Sequence, residues 1–534
     1  MKKMKQRNII ITGISLLTVT FFTACNKDLD RKPLNSNTAD IQYSNPEGYK
    51  QGLAKVYGSY SLVSSSGVGN SDVNVAGITD AGTTDFVRAY WNLQELTTDE
   101  GVCAWNDVNL QSFHNLSWTS NNVLINALYA RSLFQITVCN EFIRQSTDAE
   151  LDSRHISGKD AADVSHYRAE ARFLRAYQYW VLMDLFGNPP FVTEADPIGK
   201  YIPKRIERKD LFTYVESELK AIDTALAAPH QNEYGRADQA AGWALLARLY
   251  LNAEVYTGTA RYADAVTYSS KVINAGYTLM PHYKNLFMAD NNVNNTEIIL
   301  PIAYDATNSQ NYGGTTFLIC SAHGTNTDDN KKYGIPGGGW LGNRSTKNLP
   351  LAFGDYSGNT DKRAAFGLGS LEISSVLNFN EGLDVAKFSN VNSDGTIPYS
   401  PNGVLVNTDF PIFRLAEMYL TYIEAVKRGG TGGDNAAALS YFNKLRERGY
   451  ENTSGDVSSF TLDDVLNERQ RELYWEGFRR TDLIRFGYFT SGSYLWPWKA
   501  GVAGGAGADN HFNIFPIPST EIISNNNLIQ NPGY

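Results

Sequence analysis

The stretch HYRAEARFLRAYQYWVLMDLFG, residues 166–187, most constrains what this chain can fold into. Tyr167, Ala171, Leu174, Val181 and Leu185 recur along one face at helical spacing, with Phe173, Tyr177 and Trp180 beside them. Gly187, Pro189 and Pro190 end the run. Further segments of the same kind follow. From about Asp210 to Ala227 the face is Leu211, Tyr214, Val215 and Leu219. A helix is expected from about Ala237 to Tyr256, closed by Gly258, and another in ARYADAVTYSSKVINAGY, closed by Gly276. A late pair is written as FRLAEMYLTYIEAV and DNAAALSYFNKLRERG, with Ala438, Phe442 and Leu445 on the inner face of the second.

Trp243, Leu246, Ala247 and Tyr250 carry the spacing W-x-x-L-[GA]-x-x-Y, and Ala265 takes the small position of the next helix. This pair resembles a tetratricopeptide repeat with a lengthened loop. A small residue opposite a large ring lets two helices approach closely. The expected fold is mainly α: a tetratricopeptide-like array of about four helix pairs, packed against an irregular, loop-rich half containing short strands. Helical repeats fall at about 45–60, 120–280 and 410–480. The irregular half takes about 60–118, 281–405 and 486–534. Twelve glycines lie between positions 313 and 369, and β-prone pieces such as EIILPIAY and TTFLIC break up the stretch. Its aromatic content argues for order. Long ordered irregular segments on a rigid scaffold are functional surfaces.

The chain opens with Lys2, Lys3, Lys5 and Arg7, then a mostly apolar run from Ile9 to Phe22, then Phe22-Thr23-Ala24-Cys25. As helix that run rises about 21 Å, short of the roughly 30 Å hydrocarbon core, so residues 1–24 read as a signal peptide. A small residue directly before a cysteine is the bacterial lipoprotein pattern, which makes Cys25 the lipidation site and residues 25–534 the body. Removing the leader takes the formal charge from −9 to −13. So acidic a body is a poor partner for nucleic acid. Cys103, Cys139 and Cys320 are far apart and signal neither a zinc site nor a disulfide framework.

Catalytic signals are missing. The sequence holds no H-E-x-x-H, G-x-S-x-G or P-loop pattern, and its seven histidines are scattered. Glu468, Glu472 and Glu476 are spaced four apart among Arg469, Arg471, Arg479, Arg480 and Arg485. They read as an ion-pair lattice, because arginines keep carboxylates ionised and so unfit as general acids. The chain is not expected to be an enzyme. Trp105 is different: it stands in a polar loop with Asn106 and Asp107 behind it, after a segment carrying Arg88 and Trp91. It is either a core ring at a loop edge or a flat surface for a sugar's C–H face. Tyr312 in NYGG and Trp340 in GGGWLGNR share the glycine-rich setting.

In order along the chain stand TACNKDLD, AEARFLRAYQYWVLMDLFGNPP, GRADQAAGWALLARLYLNAEVYTG, FRLAEMYLTYIEA, ERQRELYWEGFRRTDLIRFG and FPIPSTEIISNNNLIQNPGY. On these motifs the chain resembles the SusD/RagB outer-membrane lipoproteins of glycan-uptake systems. ELTTDEG, LFMADN and NYGGTTFLIC bring it especially near the family's starch-binding member. The resemblance implies a cell-surface, lipid-anchored protein that does no chemistry. It captures oligosaccharide and delivers it to a SusC-type TonB-dependent transporter. The alternative is a scaffold or lid for the transporter that binds no sugar; a glycoside hydrolase ranks below both. The starch-binding member stacks glucan on two tryptophans and a tyrosine, with an arginine nearby. The tyrosine corresponds to Tyr312 and the arginine to Arg88. The two tryptophans, W-A-W, read Cys103-Ala104-Trp105 here, and an asparagine beyond them is Val108. Trp105, Tyr312, Arg88, Asn106, Asp107 and Trp340 are therefore the candidate glycan-binding residues, with Trp340 as the replacement ring. No cofactor is expected. Calcium, bound in the starch-binding member, is left open and not placed, because the loop after LFMADN is shorter and differently composed.

Overall fold

A computed structural model describes residues 38–534, apart from 200, 325 and 326. The leader and Cys25 lie outside the described residues. The described residues are mainly helical, and their strands form two-stranded antiparallel sheets. No helix among the described residues is long and apolar enough to cross a membrane.

The frame begins with α1 (Pro46–Ser61), and α2 (Phe86–Glu95), β1 (Gly101–Cys103) and α3 (Val108–His114) follow. The stack continues through α4 (Val123–Gln145), α5 (Gly158–Phe186), α6 (Arg208–Ile222), α7 (Gln239–Leu251) and α8 (Tyr262–Ile273). A long irregular stretch then holds β2 (Ile298–Ile302), α9 (Gly314–Ala322), α10 (Thr327–Lys332), β3 (Asn343–Ser345), β4 (Phe366–Ser370) and β5 (Gly382–Val385). After β6 (Phe410–Arg414) the stack resumes with α11 (Leu415–Lys427), α12 (Asn435–Tyr450) and α13 (Leu462–Leu473). Helices pack in succession: α1 on α4, α4 on α5, α5 on α6, α6 on α7, α7 on α8, α8 on α11 and α11 on α12. The repeat logic holds at α7 and α8. Ala247, Tyr250 and Ala265 are fully buried, and Trp243 stays half-exposed with its indole N–H on Asp223 at 2.7 Å.

Ends follow local chemistry. Gly187 and Gly258 close their helices at positive φ, and Thr461 with Asp464 forms a complete capping box on α13. The helix expected from Ala237 to Tyr256 is interrupted at Asn252, which caps α7 before a short helix, Ala253–Thr257. Helices α2, α3, α9 and α10 fall in stretches expected to be irregular. All ten residues of α2 and all nine of α9, which contains TTFLIC, are buried. α9 has no charged residue to set a period, whereas α2 does carry a polar face, in Arg88, Asn92 and Glu95, over only ten residues. One apolar core runs from Tyr43 to Leu528 through both the stack and the irregular segments.

The glutamate row is a buried lattice. Glu468 pairs with Arg363, Arg446 and Arg471; Glu472 with Arg363, Arg414 and Arg448; Glu476 with Lys387 and Arg414. Most partners come from distant segments rather than from the neighbouring arginines. Arg479 instead holds Asp99 at 2.7 Å, and Arg485 holds Glu424 at 2.6 Å.

Candidate glycan-binding site

The site is assembled by one short ladder. β1 pairs with β3 so that Gly101 faces Ser345 and Cys103 faces Asn343. Continuing that register sets residue 104 against 342 and 105 against 341. The bonds agree: Ala104 N–H donates to the Gly342 carbonyl at 2.8 Å, and the Trp105 indole N–H donates to the Leu341 carbonyl at 2.8 Å. Trp340 lies one residue further on. Its ring centroid is 6.3 Å from that of Tyr312, at 57°. Trp105, Trp340 and Tyr312 are all half-buried, and Tyr312 Oη accepts from the Asn402 amide at 3.0 Å.

Asp85 ties the Tyr312 loop to the helix bearing Arg88. It caps α2 by accepting from Arg88 N–H at 2.9 Å, and it also accepts from Gly314 N–H at 2.8 Å and Asn311 Nδ2 at 2.6 Å. The NYGG glycines serve this closure. A Cβ on Gly313 would sit 2.1 Å from the Asp85 Cβ, and one on Gly314, at φ +54°, would meet the Tyr304 ring at 2.4 Å.

Beside Trp105 opens a cleft of about 340 Å³, lined by Thr79, Asp80, Arg88, Asn92, Trp105 and Asn106 among others. The Arg88 guanidinium lies 4.8 Å from the Phe317 ring and 5.9 Å from that of Trp105, and pairs with Asp80 at 2.7 Å. Its Nε and the Asn92 Oδ1 are buried without a hydrogen-bond partner. Both atoms are shut off from solvent, so they lie behind the cleft wall, and Asp80 and the exposed Asn106 offer polar groups at its opening. Asn92 has no distinguishing signal in the sequence beyond its place four residues after Arg88, which puts it on the same helix face.

The structure thus brings Arg88, Trp105, Asn106 and Asp107 together in the cleft, and sets Tyr312 and Trp340 as a ring pair linked to it through Leu341. Asn106 is exposed, and Val108 is 80% exposed. Asp107 also shapes the backbone, capping α3 by accepting from Asn109 N–H at 2.8 Å. Cys103 is wholly buried, with its thiol pushed up to about 12 by burial, so its side chain is a core group. Cys103, Cys139 and Cys320 are all buried and unpaired. A larger open groove of about 640 Å³ lies in the stack, but its two tyrosines, Tyr277 and Tyr419, are buried. After LFMADN, the Asp290 carboxylate accepts from Ser393 N–H at 2.9 Å and Ser393 Oγ at 2.6 Å.

A helical stack that carries an irregular, ring-bearing face has the architecture of the SusD-like proteins. A SusD superfamily protein of Bacteroides thetaiotaomicron superposes with a TM-score of 0.70 at 21% identity, over 91% of this chain and 100% of that one. Surface glycan-binding protein A of the same organism, in complex with laminarihexaose, gives 0.69 at 19%, over 91% and 99%. The chain belongs to the SusD family: a SusD family model matches residues 359–534, and a model described as starch-binding associating with outer membrane matches residues 75–251. It is 34% identical to the starch-binding protein SusD of Bacteroides thetaiotaomicron over 96% of each chain.

Proposed function

We propose that the chain is a cell-surface glycan-binding lipoprotein, anchored through Cys25, that captures a starch-like α-glucan and passes it to a SusC-type TonB-dependent transporter. The observation that supports this reading is a cleft walled by Trp105, Arg88, Asp80 and Asn106, with the Trp340–Tyr312 ring pair joined to it through Leu341. Ring faces take the C–H faces of sugars, and the polar wall takes their hydroxyls. The relative named for starch binding supports the choice of an α-glucan.

Binding rather than hydrolysis fits the carboxylates. Burial pushes Glu95 up to about 7 and raises Glu100 well above the carboxylate range, the state a general acid needs. Both are sealed in the core. In the cleft, Asp80 is held by Arg88 and caps a short turn at Gly82, while Asp107 is a helix cap.

Each stacking contact contributes about 0.5–1.5 kcal/mol beyond its area term. A few such contacts, less ordering costs, give millimolar to micromolar affinity, about −4 to −8 kcal/mol. Affinity gels containing starch, pullulan, dextran or laminarin, run with an assay for released reducing ends, test the reading. Retardation by starch or pullulan without cleavage is expected, and Trp105→Ala and Tyr312→Ala should abolish it while keeping the wild-type circular dichroism. Retardation by laminarin alone would overturn the α-glucan assignment. No retardation by any glycan would make the chain a transporter scaffold, and released reducing ends would make it a hydrolase.

A further inference from the structure

Among the described residues one group of side chains outside the cleft has the make-up of a cation site. His323 follows α9, Asp329 lies on α10 and Asp384 on β5, and one donor atom from each falls within 4.8 Å of the other two. We propose that His323, Asp329 and Asp384 bind a divalent transition-metal ion of the zinc class, which braces the chain segment carrying Trp340.

The decisive side chain is His323. It is fully buried, and neither ring nitrogen has a hydrogen-bond partner among the described residues. A buried imidazole with both nitrogens idle is costly unless something ligates one of them. Its ring is fixed by stacking on Tyr333, 3.5 Å between centroids and 8° between planes. The carboxylate of Asp384 is buried too and makes no ion pair among the described residues, although Arg344 stands near it.

The electrostatics agree with a cation. Burial holds His323 down to about 3, so its imidazole is neutral, the form that ligates a metal. Burial, then the charge of Asp329, pushes Asp384 up to about 7. A dication between the two carboxylates would reverse that repulsion.

Donor type selects the ion. One imidazole and two carboxylates suit zinc or a neighbouring first-row dication, with the fourth position left to water. Calcium asks for six to eight oxygens, and an imidazole is foreign to that shell. Ligands on a tetrahedral zinc stand roughly 3.3 Å apart, so binding would draw the three donors inward.

The bracing follows from what these elements touch. The His323 carbonyl accepts from Leu341 N–H at 2.9 Å, and the Cys320 carbonyl from Trp340 N–H at 2.5 Å. β5 packs against β3, so closely that a Cβ on Gly382 would come 2.7 Å from the Ser345 carbonyl oxygen. An ion joining α9, α10 and β5 therefore clamps the borders of residues 339–345. The sequence hid the site because its ligands are dispersed: His323 and Asp384 are brought together only by the fold.

The test uses the purified full chain, stripped with chelator, re-equilibrated with zinc, calcium or magnesium, and desalted. Metal content is read by atomic emission and melting temperature by calorimetry. Retention of about one equivalent of zinc, with a raised melting temperature, is expected, and no retention of calcium or magnesium. Asp384→Asn and Asp329→Asn should melt with the stripped wild type and hold zinc at least roughly tenfold more weakly. Asp329 is half-exposed, so its variant decides the matter if the buried one does not fold. Failure of the wild type to keep zinc overturns the proposal. So does equal retention by the Asp329→Asn protein, which would place the ion on Cys25 or a surface histidine. Glycan retardation is read separately, so either result stands whatever the sugar site does.

Discussion

A single missing methyl holds Trp105 where it is. Gly342 sits at φ +128°, and a Cβ there would lie 2.4 Å from the Trp105 Nε1. Gly342→Ala would strain the backbone and push the indole off the Leu341 carbonyl. Together these should cost about 1–3 kcal/mol. Urea denaturation is expected to show that loss, and the tryptophan emission of the folded variant should shift as the indole bond breaks. An unchanged midpoint and spectrum would mean that the ring is not seated by this contact. Single residues are legible in the sequence where a side chain is out of place for its setting. Trp105 in a polar loop and Tyr312 before two glycines stand out for that reason. Asn92 does not, because an asparagine inside an apolar run looks the same whether its amide is satisfied or idle. Position 103 shows the opposite limit. A sequence correspondence offers it as a lost ring, yet the side chain is core, and Cys103→Trp should lower the melting temperature and add no glycan affinity.

At the scale of elements, long helices are readable whether or not they keep a wet face, as the buried α11 shows, and short ones are harder to read. The periods of α6, α8 and α12 stand out because polar residues mark their outer sides, whereas α5 is read by its length although Phe173–Phe186 are buried throughout. α2 and α9 carry residues next to the cleft and are only ten and nine residues long, which leaves few turns for a repeating pattern to show. The glutamate row of α13 and its approach is legible as an ion-pair lattice, but its partners are not, since ion pairs across a fold leave no spacing to read. The lattice makes a pH prediction. The guanidiniums of Arg363, Arg471 and Arg446 hold Glu468 down to about 2, and those of Arg485, Arg469 and Arg428 do the same to Glu424. Desolvation opposes both shifts and is outweighed. A folded pKa below the ordinary 4.5 means that stability is complete above that value and lost as pH falls towards about 2. The lattice's own contribution, read as the difference in urea midpoint between the wild type and Glu468→Gln, should therefore be constant above about 4.5 and shrink as pH falls from 4.5 towards 2. Glu472→Gln, which takes one of several buried carboxylate partners from Arg363, Arg414 and Arg448, should cost about 3 kcal/mol at neutral pH.

The whole molecule is held by joints between the stack and the irregular segments, and these decide how it unfolds. A chain of this length commonly comes apart in stages. Here the apolar core is continuous through both parts. Arg363, from the irregular stretch, is fully buried against Glu468 at 2.6 Å and Glu472 at 3.0 Å on α13. Asp99, on the turn before β1, is buried against Arg479 beyond the far end of that helix. Melting the irregular segments first would leave several of these charges unpaired in the remaining interior, at about 3–5 kcal/mol each. That penalty exceeds what partial unfolding could recover, so both parts should unfold together. Two probes can be compared in urea: far-UV circular dichroism, dominated by the helical stack, and the fluorescence difference between the wild type and Trp340→Phe, which reports the ring surface. Superimposable transitions are expected. A ring-surface transition at lower urea would show that the site loosens on its own, and the joints would then be packing contacts without the energetic weight assigned to them.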